Sequence, residues 1–207
     1  MVEERFGPVE NKRYREYLRD INRSGKHVLE LVNDLLDLSK IEAGKIDLAF
    51  DAINLNDLAT ETVAMLQTHA SKKRIILRTS LSRSVPKIVA DRRSIRQIVL
   101  NLVTNSIKNS EPNSQVIVST VYESTGEVVL RVKDTGKGMS ENEMSEAMEP
   151  YSQIGKSDDV VNEGTGLGLP LTKALIEANR ANFELESIVG EGTVAHVHFP
   201  AKRTLVD

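Results

Sequence analysis

The chain has 207 residues, of which 40% are hydrophobic and 28% charged, and its formal net charge is −3. This balance is typical of a folded protein of one or two domains and excludes a wholly disordered chain. The small net charge indicates no nucleic-acid partner, and the absence of cysteine excludes a disulfide framework, a cysteine nucleophile and a thiolate metal site.

No stretch of the sequence reaches the roughly 18 consecutive apolar residues that a membrane span requires. The acidic start of the chain lacks the apolar core of a signal peptide. We therefore expect a soluble, cytoplasmic chain without membrane contact of its own, which leaves open a membrane-associated full-length protein.

The first predicted element is a long helix over residues 11–41, which ends where Gly44 suits a C-terminal cap. Its apolar residues recur at alternating spacings of three and four, the pattern of a coiled coil or helix bundle. Because each exposed apolar side chain forgoes roughly 1.5–3 kcal/mol of burial, this stripe needs a partner. The regular spacing favours a homodimer through this helix over packing of the helix on its own chain. The stripe comprises Leu18, Ile21, Gly25, Val28, Val32 and Leu35.

From residue 45 the pattern changes to short strands and helices, which predicts an α+β fold with one mixed sheet and helices on one face. In the first of these helices Asn56 suits the N-cap, and we expect Leu58, Val63, Ala64 and Leu66 to face inward. The predicted elements are a strand at 46–50, a helix at 56–72, strands at 75–77 and 87–90, a helix at 94–110, a hairpin of 115–122 and 127–133, a helix at 167–178, and a hairpin of 182–188 and 193–199.

Three polar residues, Asn101, Asn105 and Lys108, share one face of the predicted helix 94–110 because they are spaced by four and three. Amide oxygens are hard ligands of the kind that Mg²⁺ accepts, usually beside waters and phosphates. The lysine adds a charge that attracts phosphate. The plain alternative is a solvated helix face.

Asp134 stands at the end of a predicted strand, and Gly136 and Gly138 follow it. Glycines let a backbone turn sharply and approach a planar ligand closely. A carboxylate there accepts hydrogen bonds, so it would suit the exocyclic amine of adenine and repel the O6 atom of guanine. The plain alternative is an ordinary Asp-Gly turn.

A further glycine-rich segment, residues 164–169, opens a predicted helix. The backbone N–H groups of such a loop, together with the helix N-terminus, make an anion site. It is not a dinucleotide-binding fingerprint, because no strand precedes it and its third glycine comes one position early. Gly190, Gly192 and Thr193 in the last hairpin form, on their own, a turn.

In their order and spacing, these motifs together resemble the ATP-binding catalytic domain of sensor histidine kinases, within the wider family shared with DNA gyrase, the Hsp90 chaperones and MutL. The loop at residues 4–8 also resembles the interhelical loop of cell-cycle kinases of the PleC and PdhS type. The matching segments are 101–108 (N box), 134–138 (first glycine box), 149–153 (F box, with Tyr151 where phenylalanine is usual), 164–169 (second glycine box), 190–193 (third glycine box) and 32–44 (second helix of the dimerisation and phosphotransfer domain).

The resemblance implies two regions: part of a dimerisation and phosphotransfer domain at 1–44, and a catalytic domain at 45–207. The implied fold is the mixed-sheet α/β sandwich of the histidine kinase, gyrase and Hsp90 type, preceded by a long coiled-coil-like helix. It implies that Asp134 holds the adenine amine, that Asn105 coordinates Mg²⁺ beside Asn101, and that Lys108 lies near the phosphates. The other implied nucleotide contacts are Gly136, Gly138, Tyr151, Gly164, Thr165, Gly166, Leu167, Gly168, Leu169 and Thr193, with a lid at about 151–163.

The implied ligands are ATP and Mg²⁺, and the implied activity transfers the γ-phosphoryl group of ATP to a histidine for relay to the receiver domain of a response regulator. Asn101 bears on the reaction type, because an amide cannot act as the general base that activates water. We therefore expect phosphoryl transfer, which depends on positioning and charge neutralisation, rather than the ATP hydrolysis of a gyrase-like or MutL-like clamp.

The phosphoacceptor motif of the family is absent, since none of His27, His69, His196 and His198 has its sequence context. We expect a fragment that begins between the two bundle helices, binds ATP and does not autophosphorylate alone. A second hypothesis is a degenerate nucleotide-binding scaffold that transmits signals without kinase activity. Two departures from the family pattern favour it: Tyr151, and Asn109 where an aromatic residue is common.

Overall fold

A computed structural model describes residues 11–152 and 165–206. The predictions for the loop at 4–8, for Gly164 and for most of the lid lie outside the described residues. The described residues form helices α1 (Lys12–Glu42), α2 (Leu55–Lys72), α3 (Arg92–Asn109), α4 (Glu141–Ala147) and α5 (Gly168–Ala178), with strands β1 (Phe50–Ile53), β2 (Ile76–Leu81), β3 (Lys87–Asp91), β4 (Gln115–Tyr122), β5 (Val128–Asp134), β6 (Asn182–Ile188), β7 (Gly192–Phe199) and β8 (Thr204–Leu205).

The main sheet has five strands in the order β2-β4-β5-β7-β6, in which β2 runs parallel to β4 and the other neighbours are antiparallel. This confirms the predicted mixed sheet and both predicted hairpins. The main core lies between one face of the sheet and the helices α2, α3 and α5. Its fully buried side chains include Leu58, Ile98, Leu130, Leu171 and Phe199.

A second, three-stranded antiparallel sheet, ordered β1-β3-β8, was not predicted. The predicted strand at 46–50 is wrong, because regular pairing begins only at Phe50, opposite Asp91. Asp91 ends β3 and caps α3, so the chain before Phe50 meets no further strand residue to pair with. The alternation at 46–50 instead reflects Ile46 and Leu48, which are half-buried.

Helix α2 begins two residues earlier than the predicted N-cap implies. The Asn54 side chain accepts from the backbone N–H groups of Asn56 and Asp57 and is the actual cap. The Asn56 side chain is used elsewhere, since it donates to the Ser82 carbonyl at 2.8 Å and accepts from Thr120 Oγ1 at 2.6 Å. Ala64, predicted to face inward, is exposed.

Helix α1 begins and ends as predicted. Asn11 caps its start by accepting from Arg13 N at 2.9 Å. At its end Gly44 adopts φ +64, Gly44 N donates to Ile41 O, and Lys45 N donates to Lys40 O, which is a Schellman motif.

Helix α1 also packs on its own chain, though not through the predicted stripe. Leu38 is buried in the core, and Leu31 and Ile41 pack against it, so this face lies against the α+β part of the chain, where α1 contacts α5. The large apolar side chains of the coiled-coil stripe are instead exposed, Ile21 by 67%, and Leu18 at its start borders the cavity described below. Among the described residues, no helix is long and apolar enough to cross a membrane.

Candidate nucleotide site

One cavity of about 1570 Å³ brings most of the predicted site residues together. Its walls come from α3, the loop after β5, the start of α5, strand β7 and one face of α1. The predicted residues that line it are Asn101, Asn105, Lys108, Asp134, Gly138, Thr165, Gly166, Gly168, Leu169 and Thr193.

Asp134 is held at the end of β5 by backbone donors. Its side chain is only 5% exposed, and its Oδ1 accepts from Gly136 N at 3.0 Å and from Thr193 N at 3.1 Å. Among the described residues, no group donates a hydrogen bond to the other carboxylate oxygen, Asp134 Oδ2, and Asp134 lines the cavity. That oxygen can therefore accept a hydrogen bond from a ligand amine, as the adenine prediction requires.

Three glycines bring backbone segments close around Asp134. Gly138 has φ +65, and a Cβ there would lie 1.9 Å from the Ile188 carbonyl oxygen. Gly192 has φ +115, and a Cβ there would lie 2.1 Å from the Asp134 carbonyl oxygen. Gly136 does not line the cavity; a Cβ on it would lie 2.6 Å from the Asn109 carbonyl oxygen, so its contribution is to let the loop pack on the end of α3.

The amide groups of α3 face the cavity in fixed orientations. Asn101 Oδ1 accepts from Gln97 Nε2 at 3.2 Å, and Asn101 Nδ2 donates to Thr172 Oγ1 at 3.3 Å. Asn105 lies one turn further along and Lys108 is exposed at the end of the same face. Sequence reasoning missed Gln97 and the buried Thr172; Gln97 could have been found, because it stands four residues before Asn101 on the same helix face.

The glycine-rich segment leads into the N-terminus of α5, whose unpaired backbone N–H groups favour an anion. Gly166 has φ +68 and its carbonyl accepts from Tyr151 N at 3.1 Å. Leu167 is fully buried in the core, so it anchors the segment and does not line the cavity. Tyr151 is 59% exposed and also lies outside the cavity wall. Gly164 lies outside the described residues.

The sequence did not predict that α1 would form a wall of this cavity. Arg15, Arg19, Lys26 and His27 line it, as does Asp34. Thr165 Oγ1 donates to Asp34 Oδ2 at 3.3 Å, which joins α1 to the glycine-rich segment. Partial burial raises the pKa of the Asp34 carboxyl above its ordinary value, Asp37 and Glu30 raise it further, and the Thr165 hydrogen bond partly opposes them.

His196 and His198 lie elsewhere, on the open face of the main sheet. Their rings are stacked 5.9 Å apart, and their Nε2 atoms lie 3.7 Å from Glu186 and 3.4 Å from Glu184. Burial lowers the pKa of His196. Among the described residues, no group of three or more His, Cys, Asp or Glu side chains is arranged to hold a metal ion.

Comparison with known proteins identifies the family. The chain belongs to the histidine kinase-, DNA gyrase B- and HSP90-like ATPase family, whose sequence model matches residues 90–203. The model of the His Kinase A (phospho-acceptor) domain matches residues 2–44. The resemblance to sensor histidine kinases is thereby confirmed.

Among individual proteins, the chain is 54% identical over 215 residues to the cell-division control histidine kinase PdhS of Brucella suis (strain ATCC 23445 / NCTC 10510). This alignment covers 100% of the chain and 21% of PdhS, so the chain spans about a fifth of the length of that relative. The resemblance to kinases of the PdhS type is therefore confirmed as well.

Two solved structures share the fold over nearly the whole chain. Full-length ShkA in complex with AMPPNP superposes with a TM-score of 0.81 at 26% identity, over 95% of this chain and 40% of ShkA. Histidine kinase ThkA in complex with the response regulator TrrA superposes with a TM-score of 0.69 at 21% identity, over 96% of this chain and 54% of ThkA. They confirm the predicted fold class.

Proposed function

We propose that this chain is the ATP-binding catalytic region of a sensor histidine kinase, at 45–207, joined at 1–44 to the second helix of its dimerisation and phosphotransfer domain. The observation that carries the proposal is Asp134, a buried carboxylate with one oxygen fixed by backbone donors and the other left for a ligand. The family match and the AMPPNP complex of ShkA support ATP as the ligand.

Different residues of the cavity would bind the base, the phosphates and the metal ion of the nucleotide. Asp134 would select adenine, because a carboxylate accepts from the exocyclic amine and repels guanine O6. Lys108 and the N-terminus of α5, which line the same cavity, would bind the phosphates. The residue types also fit Mg²⁺, since Asn105 places a hard amide oxygen on the same wall and phosphates and waters commonly complete such a site. When bound, Mg²⁺ would neutralise phosphate charge.

Asn101 favours transfer over hydrolysis. Its amide lacks a basic atom, and both ends are already engaged, Oδ1 by Gln97 and Nδ2 by Thr172. It therefore has no means to activate a water molecule. The γ-phosphoryl group would be kept for a histidine, and this argues against the clamp ATPase alternative. The scaffold alternative rests only on the departures from the family pattern at Tyr151 and Asn109, and neither the described structure nor the relatives add support for it.

The partners follow from the same proposal. The chain would form a homodimer through the exposed stripe of α1, because burial of these apolar side chains against a second helix is favourable. The receiver domain of a response regulator would take the phosphoryl group from the histidine, and we place the reaction in the cytoplasm, where ATP is available. The ThkA complex with TrrA shows one kinase of this fold with such a partner.

We expect this chain to phosphorylate a histidine-bearing bundle domain supplied separately. Labelled ATP with Mg²⁺ should yield an acid-labile, base-stable phosphohistidine on that domain, and the Asp134→Asn variant should yield almost none. Steady release of free phosphate without transfer would indicate a hydrolase. Bound nucleotide with neither reaction would indicate the scaffold.

A further inference from the structure

Asn109, the last residue of α3, makes two hydrogen bonds to one residue. Its Nδ2 lies 2.9 Å from the Asn105 carbonyl oxygen and 3.1 Å from Asn105 Oδ1. Asn105 is the amide that the proposed function assigns to Mg²⁺. Both residues are half-buried and both line the nucleotide cavity.

The two contacts fix which atom of each amide is which. A backbone carbonyl only accepts, so the Asn109 atom beside the Asn105 carbonyl must be the NH₂ group. Its second proton then points to the Asn105 side chain, and the Asn105 atom that receives it must be the oxygen. The hydrogen-bond pattern therefore admits neither amide in the flipped orientation.

This arrangement leaves Asn105 prepared to bind a cation. An amide oxygen has two lone pairs, and Asn109 occupies one of them. Among the described residues only Asn109 donates to Asn105 Oδ1, and Asn105 lines the cavity, so the other lone pair is left for a cation there. Rotation of the side chain to present its NH₂ group would break the hydrogen bond from Asn109. A ligand held by an outer hydrogen bond loses less freedom when it binds the metal.

Asn109 is itself held in place. Its carbonyl oxygen accepts from Lys137 N at 3.3 Å and packs against Gly136, where a Cβ would lie 2.6 Å away. One residue thus joins the loop that carries Asp134 to the Asn105 amide. An aromatic side chain at position 109, which is common in the family, offers no NH₂ group for this double contact.

We propose that Asn109 is a positioning residue that orients Asn105 Oδ1 for Mg²⁺. The proposal rests on the proposed function. In this chain, the orientation of the metal ligand Asn105 would then depend on the side-chain amide at position 109. Loss of an outer-shell partner typically costs about 10–100-fold in metal affinity.

The test is calorimetric titration of ADP into the parent, Asn109→Leu and Asn109→Ala, each in EDTA and over a range of Mg²⁺ concentrations. The leucine variant keeps the side-chain size without N–H donors. We expect both variants to need about 10–100-fold more Mg²⁺ for its effect on ADP affinity, with affinity in EDTA unchanged within about twofold. Asn33→Ala, at an exposed position of α1 outside the cavity wall, is the control.

Each other outcome overturns a defined claim. Parent-like Mg²⁺ dependence in the Asn109 variants would overturn the positioning role. Equal weakening in EDTA and in Mg²⁺ would assign Asn109 a structural role only, and a parent that binds ADP without any effect of Mg²⁺ would overturn the metal assignment. No ADP binding by the folded parent would instead overturn the proposed function.

Discussion

Replacing Gly138 by alanine is expected to destabilise the protein by about 2–5 kcal/mol. The backbone at Gly138 is left-handed, at φ +65, and an added Cβ would lie 1.9 Å from the Ile188 carbonyl oxygen. A left-handed non-glycine residue costs about 1–2 kcal/mol and overpacking costs about 1–3 kcal/mol more. The neighbouring hydrogen bonds would also be strained, because Gly190 N donates to Lys137 O at 2.8 Å and Met139 N donates to Ser187 Oγ at 2.8 Å.

Urea unfolding of the two variants Gly138→Ala and Gly25→Ala measures this effect against a matched control. Gly25 lies inside α1, and a Cβ there would meet no atom within 4 Å. Alanine at that position should stabilise the helix by about 0.5–1 kcal/mol. A Gly138→Ala protein as stable as the parent would show that the loop does not pack on the β6–β7 turn.

The Asp134→Asn variant is expected to bind ADP about 100-fold more weakly while keeping its fold. An asparagine oxygen can still accept from Gly136 N and Thr193 N, the two donors that now fix Oδ1. Its NH₂ group would then take the place of Oδ2 and face the adenine amine, donor against donor. Loss of a charge-assisted hydrogen bond costs about 1.5–3 kcal/mol, and an unsatisfied donor adds to it; about 1.4 kcal/mol is a factor of ten in affinity.

Calorimetry of ADP with Asp134→Asn measures this loss, and thermal unfolding of the same variant checks the fold. Asp47→Asn is the control, because Asp47 is exposed and lies outside the nucleotide cavity. It should bind as the parent does. Equal affinities for the parent and Asp134→Asn would place the base of the nucleotide away from Asp134.

The secondary structure could be predicted where sequence pattern and tertiary pairing agree. The two hairpins and helices α3 and α5 follow directly from local periodicity and turn residues. The true start of β1 could not be predicted from the sequence. The alternation at 46–50 reflects burial of one side of the segment, whereas the start of β1 at Phe50 depends on where its partner strand β3 ends. The prediction of Asn56 as the cap of α2 failed for a similar reason, because its side chain is engaged by the distant residues Ser82 and Thr120 while Asn54 caps the helix.

The candidate site shows the same division. Asp134, Asn105 and the glycine-rich segment could be predicted because each lies in a short motif whose chemistry is local. The wall formed by α1 could not, since the contact of Asp34 with Thr165 joins residues 131 positions apart. Leu167 was assigned to the nucleotide from its place in the motif, but a fully buried side chain anchors the segment from behind.

A crystal structure of the chain with Mg²⁺ and a non-hydrolysable ATP analogue tests the central claim most directly. We expect the adenine amine to lie within about 2.7–3.2 Å of Asp134 Oδ2, with the phosphates between Lys108 and the N-terminus of α5 and the metal on Asn105 Oδ1. A nucleotide bound in this cavity with its base away from Asp134, or bound outside the cavity altogether, would contradict the assignment.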